Sequence, residues 1–250
     1  PLFLRSNQRV ELTEAGARLL GHARRIEREF NLAEQAGARS TQGAPLRIGL
    51  LTSIPGALVA QAVAACSPGD AQALELVPGT ERELLARLDA ERIDVALTVV
   101  RDGADRYAAR PIMQEGYGLA LPSSHDLAGR ARVAAEELAG EVMIVRRHCE
   151  ALSATSRYFV DRGVRPHFAF RATNDERVMQ MVAAGLGVTV MPMAYSWPGM
   201  VRAALADFGA RRTIGLLFSA RAQGLSQAMP PILTALEAIV AEKPHSPKDR

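Results

Sequence analysis

Several short polar clusters in this 250-residue sequence follow apolar runs, and their side chains suit recognition of a small anion. Thr52, Ser53 and Ile54 come after the run LRIGLL, where hydroxyls and backbone N–H groups at a helix start would cradle a negative charge. Arg146, Arg147 and His148 come after VMIV, and a guanidinium can grip a carboxylate through two parallel hydrogen bonds. Thr98 and Val99 close the run DVALTV, Thr173 and Asn174 follow HFAFRA, and Pro192 ends GVTVMP. In an open α/β sheet, ligands gather beyond the carboxyl ends of the strands. These residues therefore outline a polar cleft for a small carboxylate, with Thr52, Ser53 and Asn174 on the anionic group and Arg146 or Arg147 as clamp. The competing reading is equally simple. Any one hydroxyl can merely cap a helix, and either arginine can be solvated surface.

Bond-breaking chemistry finds little support. The chain has no G-x-S-x-G elbow, phosphate-binding loop, G-x-G-x-x-G turn or H-E-x-x-H helix. His148 and Cys149 are adjacent, so on a strand or loop their side chains point apart. The five histidines are scattered without ligand spacing, so neither a catalytic residue, a cofactor nor a metal is expected. Cys66 and Cys149 are far apart and fit no redox spacing, and a thiol switch would prefer two cysteines in one mobile segment. A reducing cytoplasm is the simplest compartment.

A hydrophobic content of 48% with 23% charged residues describes a folded globular chain, and the apolar runs are too short to cross a bilayer. No secretory signal is visible at the start. The net charge of +3 is a small imbalance, weak support for nucleic-acid binding.

The elements that must hold these clusters fall into three segments. Residues 1–12 end in an alternating strand, and Thr13 is a good helix N-cap with Glu14 in the first turn. No proline follows until Pro45, so residues 13–43 are expected to hold a long helix and then a Gly/Ser-rich hinge. Leu12, Leu19, Ile26 and Ala33 recur every seven residues, with Gly16, Ala23 and Phe30 between them, which is the seam of a coiled coil. The seam predicts pairing with a second copy, as a dimer or tetramer. An amphipathic helix packed on its own domain is the alternative. Residues 44–243 alternate strands and helices, with a capping box at Thr80 and Glu83 and a cap at Asn174. That alternation predicts a parallel, doubly wound sheet. Two such halves joined by crossovers make a clamshell, with lobe I near 46–119 and 216–243 and lobe II near 120–215. Residues 244–250 are expected to be a tail.

Pro1-Leu2-Phe3-x-Arg5, Val10-x-Leu12-Thr13-x-Ala15-Gly16 and Leu19-Leu20 occur in order before this α/β portion. The set resembles the wing and linker-helix start of LysR-type transcription regulators. LRIGLL, DVALTV, Leu121-Pro122 with His125 and Leu127, and VAAGLGVTVMP resemble that family's effector domain, and the whole resemblance covers roughly residues 1–240. Asp126 stands where the family usually has proline, and Arg146 to Thr155 match no specific member. The resemblance implies an α/β, two-lobed, periplasmic-binding-protein-like (type 2) effector domain. Ahead of it would come a linker helix and the remnant of a winged helix-turn-helix whose recognition helices are not in this sequence. It also implies promoter DNA as a partner of the full-length protein, with Arg5 and Arg9 as wing contacts, and a small-molecule effector, an organic or aromatic acid. A periplasmic solute receptor would share the clamshell and is the alternative function. The heptad helix before the first strand of the clamshell argues against it.

Overall fold

The computed structural model describes residues 1–5, 9–38, 45–66, 74–101, 103 and 106–242. The expected hinge and the tail fall largely outside the described residues. At the front, strands β1 (Phe3–Arg5) and β2 (Val10–Leu12) pair antiparallel, and helix α1 (Glu14–Ala38) follows. Thr13 starts the helix because its Oγ1 accepts the Gly16 N–H at 3.0 Å. Position 16 must be glycine, since a Cβ there would lie 2.1 Å from the Leu2 carbonyl oxygen. Leu12 belongs to β2 rather than to the helix, so the expected seam loses its first member. Within α1, Leu19, Ala23, Ile26 and Phe30 are exposed, as an unpaired seam would be.

The α/β portion runs β3 (Leu46–Leu51), α2 (Gly56–Ala65), β4 (Leu74–Gly79), α3 (Glu81–Asp89), β5 (Val95–Val99) and a long β6 (Ala108–Pro122). It continues through β7 (Arg132–Val133), β8 (Val142–Arg146), α4 (Leu152–Asp161), β9 (His167–Ala172) and α5 (Asp175–Ala183). Strands β10 (Thr189–Pro192), β11 (Met200–Leu205) and β12 (Arg211–Phe218) precede α6 (Pro231–Ala241). Sequence-level caps locate several of these. Thr80 and Glu83 form the reciprocal box that opens α3, whose Leu84 and Leu88, one turn apart, are buried. The Asn174 side chain accepts the Arg177 N–H at 2.8 Å to open α5 over buried Val178, Met179 and Val182.

The sheet order is β4-β3-β5-β12-β6-β11-β7, with β10 also on β6. It is mixed, which corrects the expectation of a parallel doubly wound sheet. Strands β4, β3 and β5 run parallel, as do β11 and β7, but β12 is antiparallel to β5 and to β6. The reason is that β12 returns from the second half of the chain and enters the sheet from the opposite end. Strand β6 is shared: Ala108 to Gly116 pair with β12, and Tyr117 to Pro122 pair with β10 and β11. A register break at Ile214/Gly215 leaves Ile112 as the extra residue of a bulge. Only glycine fits opposite it, because a Cβ at 215 would meet the Arg110 carbonyl at 2.4 Å.

The apolar interior divides along that strand. One core gathers Ile48, Leu84, Leu97, Phe218, Leu233 and neighbours, and includes Met113 and Ile214 at its limit. Beyond Tyr117 the buried residues belong to clusters around Leu119, Leu138 and Phe159, and around Ile144, Val178 and Met191. Each fully buried Leu, Ile or Phe contributes about 1.5–3 kcal/mol, so each core is held separately. The two meet across β6 and β12.

Candidate functional site

At that meeting point lies a buried polar cluster built on Arg212, whose side chain is 2% exposed. Arg212 is the second residue of β12 and stands directly opposite Glu115 of β6. Its Nε and Nη2 donate to Glu115 Oε1 at 2.8 and 2.6 Å. Its Nη1 donates to Ser53 Oγ at 2.7 Å and also to Glu150 Oε1, while Nη2 reaches the Ser53 carbonyl at 3.2 Å. The same Glu150 oxygen accepts from Ser53 Oγ at 3.1 Å and from the Tyr117 hydroxyl at 2.8 Å. Glu115 is tied down further by the Ala194 N–H at 2.6 Å.

Electrostatics follow from this crowding. Burial pushes the Glu150 carboxyl up, but the Arg212 charge and the Tyr117 hydrogen bond more than offset it and leave the group below its ordinary value. Burial pulls Arg212 down, and Glu115 and Glu150 reverse that, so its pKa is raised. The Tyr117 hydroxyl is raised by burial and by the Glu150 charge, which keeps it a proton donor. Nearby Arg202 of β11 donates to the Pro192 carbonyl at 2.6 Å and to that of Tyr195. Burial pulls its guanidinium down to about 10, with Glu115 as the carboxylate that supports its charge. It is still protonated at neutral pH.

A cleft of about 850 Å³, ample for a small organic molecule, is lined by neighbours of the cluster: Thr52 and Ile54 flank Ser53, and Tyr195 gives its carbonyl to Arg202. Thr52, Val59, Val63 and Leu76 line one wall and His148, Thr173, Asn174, Glu176 and Tyr195 the other. The Glu176 carboxylate reaches the start of α2, where a Cβ on Gly56 would come within 2.8 Å of its Oε1.

Of the residues singled out from the sequence, Thr52, Ile54, His148, Thr173 and Asn174 line this cleft. Ser53 lies behind it, bonded to Arg212 and Glu150. The N–H groups of Thr52 and Ile54 do not form a free cradle: they donate to the Gly79 and Leu51 carbonyls at 3.0 and 2.9 Å. The Thr52 Oγ1 is buried without a hydrogen-bond partner. Thr98 and Val99 are buried in the sheet and the first core, Thr98 Oγ1 likewise unpartnered, and Pro192 is buried at the end of β10. Arg146 cannot serve as an open clamp, because Asp175 takes its Nε at 2.8 Å and its Nη2 as well. Arg147 is exposed and faces a separate, mostly apolar hollow of about 700 Å³ between β8, α4 and β9. Arg5 lies in β1, and Arg9 is exposed and ion-paired with Glu11 at 3.0 Å.

Glu115, Tyr117, Glu150, Arg202 and Arg212 were not singled out. The clearest available signal was two arginines, Arg211 and Arg212, heading an otherwise apolar strand. Among the described residues no cluster of three metal-ligating side chains occurs, and both cysteines are free thiols. Arg146 Nη1 contacts Cys149 Sγ at 3.3 Å, but burial outweighs it and raises the thiol pKa.

Two separately cored α/β lobes, joined through long shared strands with a cleft between them, define the periplasmic-binding-protein-like class of ligand-sensing domain. Residues 39–237 match the LysR substrate binding domain, and the chain belongs to that family. It is 31% identical over 196 residues to a hydrogen peroxide-inducible genes activator of Pectobacterium carotovorum, covering 76% of this chain. It is 34% identical over 200 residues to the HTH-type transcriptional regulator TtuA of Agrobacterium vitis, again covering 76% of this chain. This chain spans 65% of the length of each of those relatives. A solved structure of a Corynebacterium glutamicum OxyR C206 mutant superposes with a TM-score of 0.60 at 25% identity, covering 96% of this chain and 80% of that one. These regulator relatives favour the regulator reading over the periplasmic receptor.

Proposed function

We propose that this chain is the effector-sensing and dimerising portion of a LysR-type transcription regulator that works in the cytoplasm. A small organic acid enters the cleft between the lobes and favours one degree of closure, since a ligand shifts an equilibrium only by its differential affinity. Protomers paired through α1, with Leu19, Ala23, Ile26, Phe30 and Ala33 on the shared seam, would carry that change to DNA-binding heads on promoter DNA. Arg5 and Arg9 would touch the phosphate backbone. The observation that carries this reading is the cleft of about 850 Å³ between the lobes, with Thr52 on one wall and Thr173 and Asn174 on the other. A thermal-shift screen of small organic and aromatic acids tests it. At least one acid should raise the melting temperature, and the Ser53→Ala variant should lose that response. No response to any acid, or an undiminished one in the variant, would overturn the assignment.

A second reading comes from the relatives' name and from the Arg146 contact to Cys149. Peroxide would oxidise the Cys149 thiol to a sulfenic acid with release of water. Intact mass after one equivalent of hydrogen peroxide checks this: a gain of one oxygen that Cys149→Ser abolishes supports it, and an unmodified chain excludes it. The raised thiol pKa favours the first reading.

A further inference from the structure

The carboxylate of Glu150 sits where an external carboxylate would be held. It takes Arg212 Nη1, Ser53 Oγ and Tyr117 O–H on one oxygen, three donors from three different elements. Its other oxygen, Oε2, is buried and has no hydrogen-bond partner. A carboxylate placed for structural reasons alone would be expected to satisfy both oxygens, since an unmet buried acceptor is costly. Glu150 is also borne on the short connection between β8 and α4 in the second lobe, whereas Ser53 belongs to the turn after β3 in the first. Its seat is therefore a bridge between lobes. Charge balance points the same way. Arg146, Arg202 and Arg212 are balanced by Glu115, Glu150 and Asp175, three cations against three anions, so withdrawing Glu150 leaves the group one positive charge in excess. That vacancy calls for a monoanion that presents one oxygen to the three donors Glu150 now occupies.

We propose that Glu150 is a built-in occupant of the sensing site, an internal ligand that an incoming monocarboxylate displaces from Arg212, Ser53 and Tyr117. This rests on the reading of the cleft as an effector site and specifies how that site is regulated. Displacement replaces one carboxylate by another, so the buried charge is conserved, while the tie from the β8–α4 connection to Ser53 is broken. The effector thus exchanges a covalently attached ligand for a free one and releases one lobe from the other. Because the seat must be vacated first, apparent affinity falls in proportion to the fraction of open sites.

The test uses acetate as the probe, with sodium chloride at equal ionic strength as control. In Glu150→Ala the seat is empty; acetate should raise the melting temperature, and calorimetry should show it binding at least tenfold tighter than to the unaltered chain. Glu150→Gln keeps the shape of the side chain without its charge and guards against a folding failure of the alanine variant. It should bind acetate more tightly than the unaltered chain. Equal acetate responses in the unaltered chain and both variants, or none beyond the chloride control in variants shown to be folded, would overturn the proposal. The two readings fail separately. If acetate fills the vacated seat but no larger acid binds any form, the internal ligand stands and the effector reading falls. If an acid binds the unaltered chain in the cleft and the variants gain nothing, the effector reading stands and the internal ligand falls.

Discussion

Arg146 and Arg212 are both arginines with side chains only 2% exposed, yet they are used differently. Arg146 meets one carboxylate, Asp175, through both its Nε and Nη2, and its remaining donor goes to the Val190 carbonyl and the Cys149 sulfur. All these partners lie in one lobe. Arg212 divides its donors between Glu115, across the strand pair, and Glu150 and Ser53, which come from opposite lobes. A one-to-one fork closed within a lobe is a fastening. An arginine shared by two carboxylates at a junction can release one and keep the other, so a guanidinium can hold a structure together and leave part of it exchangeable.

The contrast is sharpest when one member of each ion-pair group is removed. Arg212→Met strands two buried carboxylates and should cost about 3–5 kcal/mol, visible as a lower urea midpoint. Asp175→Asn leaves a single buried guanidinium that can still donate to the amide oxygen, so a smaller loss, about 2–3 kcal/mol, is expected in the same assay. Equal losses would erase the distinction. Tyr117→Phe removes one donor from Glu150 and should cost about 1 kcal/mol. A loss as large as that of Arg212→Met would show that the hydroxyl, not the guanidinium, seats the carboxylate. The pH dependence is subtler. Because the folded pKa of Glu150 is depressed, its stabilisation is complete above the ordinary carboxylate range near 4 and is lost as pH falls below it. Melting temperatures between about pH 6 and 3 should therefore fall less steeply for Glu150→Gln than for the unaltered chain. At the small end, the partly exposed ion pair between Arg92 and Glu27 should matter least, with Glu27→Gln changing stability by well under about 1 kcal/mol.

The local half of this molecule was legible in its sequence. The Thr80/Glu83 box, the Asn174 cap and the strands ending at Leu51, Val99 and Pro192 follow from periodicities and caps a few residues long. The junction was not. Ser53 and Arg212 are 159 residues apart, and Arg212 and Glu115 are 97 apart, so nothing near any of them hints at the others. Antiparallel insertion of β12 is what brings them together, and an alternating strand–helix pattern does not specify that insertion. The same pattern placed Thr52, Thr173 and Asn174 at the cleft wall, but it offered Arg146 or Arg147 as the clamp, and Asp175 already holds the first while the second faces another hollow. A lone arginine in a sequence does not reveal which acid it will find. Glu150 lies within the stretch that matched no particular member of the family, where resemblance offered nothing to transfer.

Strand β6 runs unbroken from the first core into the second, with β12 bonded along half of it. Lobes connected in this way do not swing on a slack tether. Any relative turn of the lobes has to twist that hydrogen-bonded ribbon, whose ladder is interrupted by the bulge at Ile112, opposite Gly215. Such a joint makes the relative setting of the lobes a property of two continuous strands and not of side-chain contacts alone.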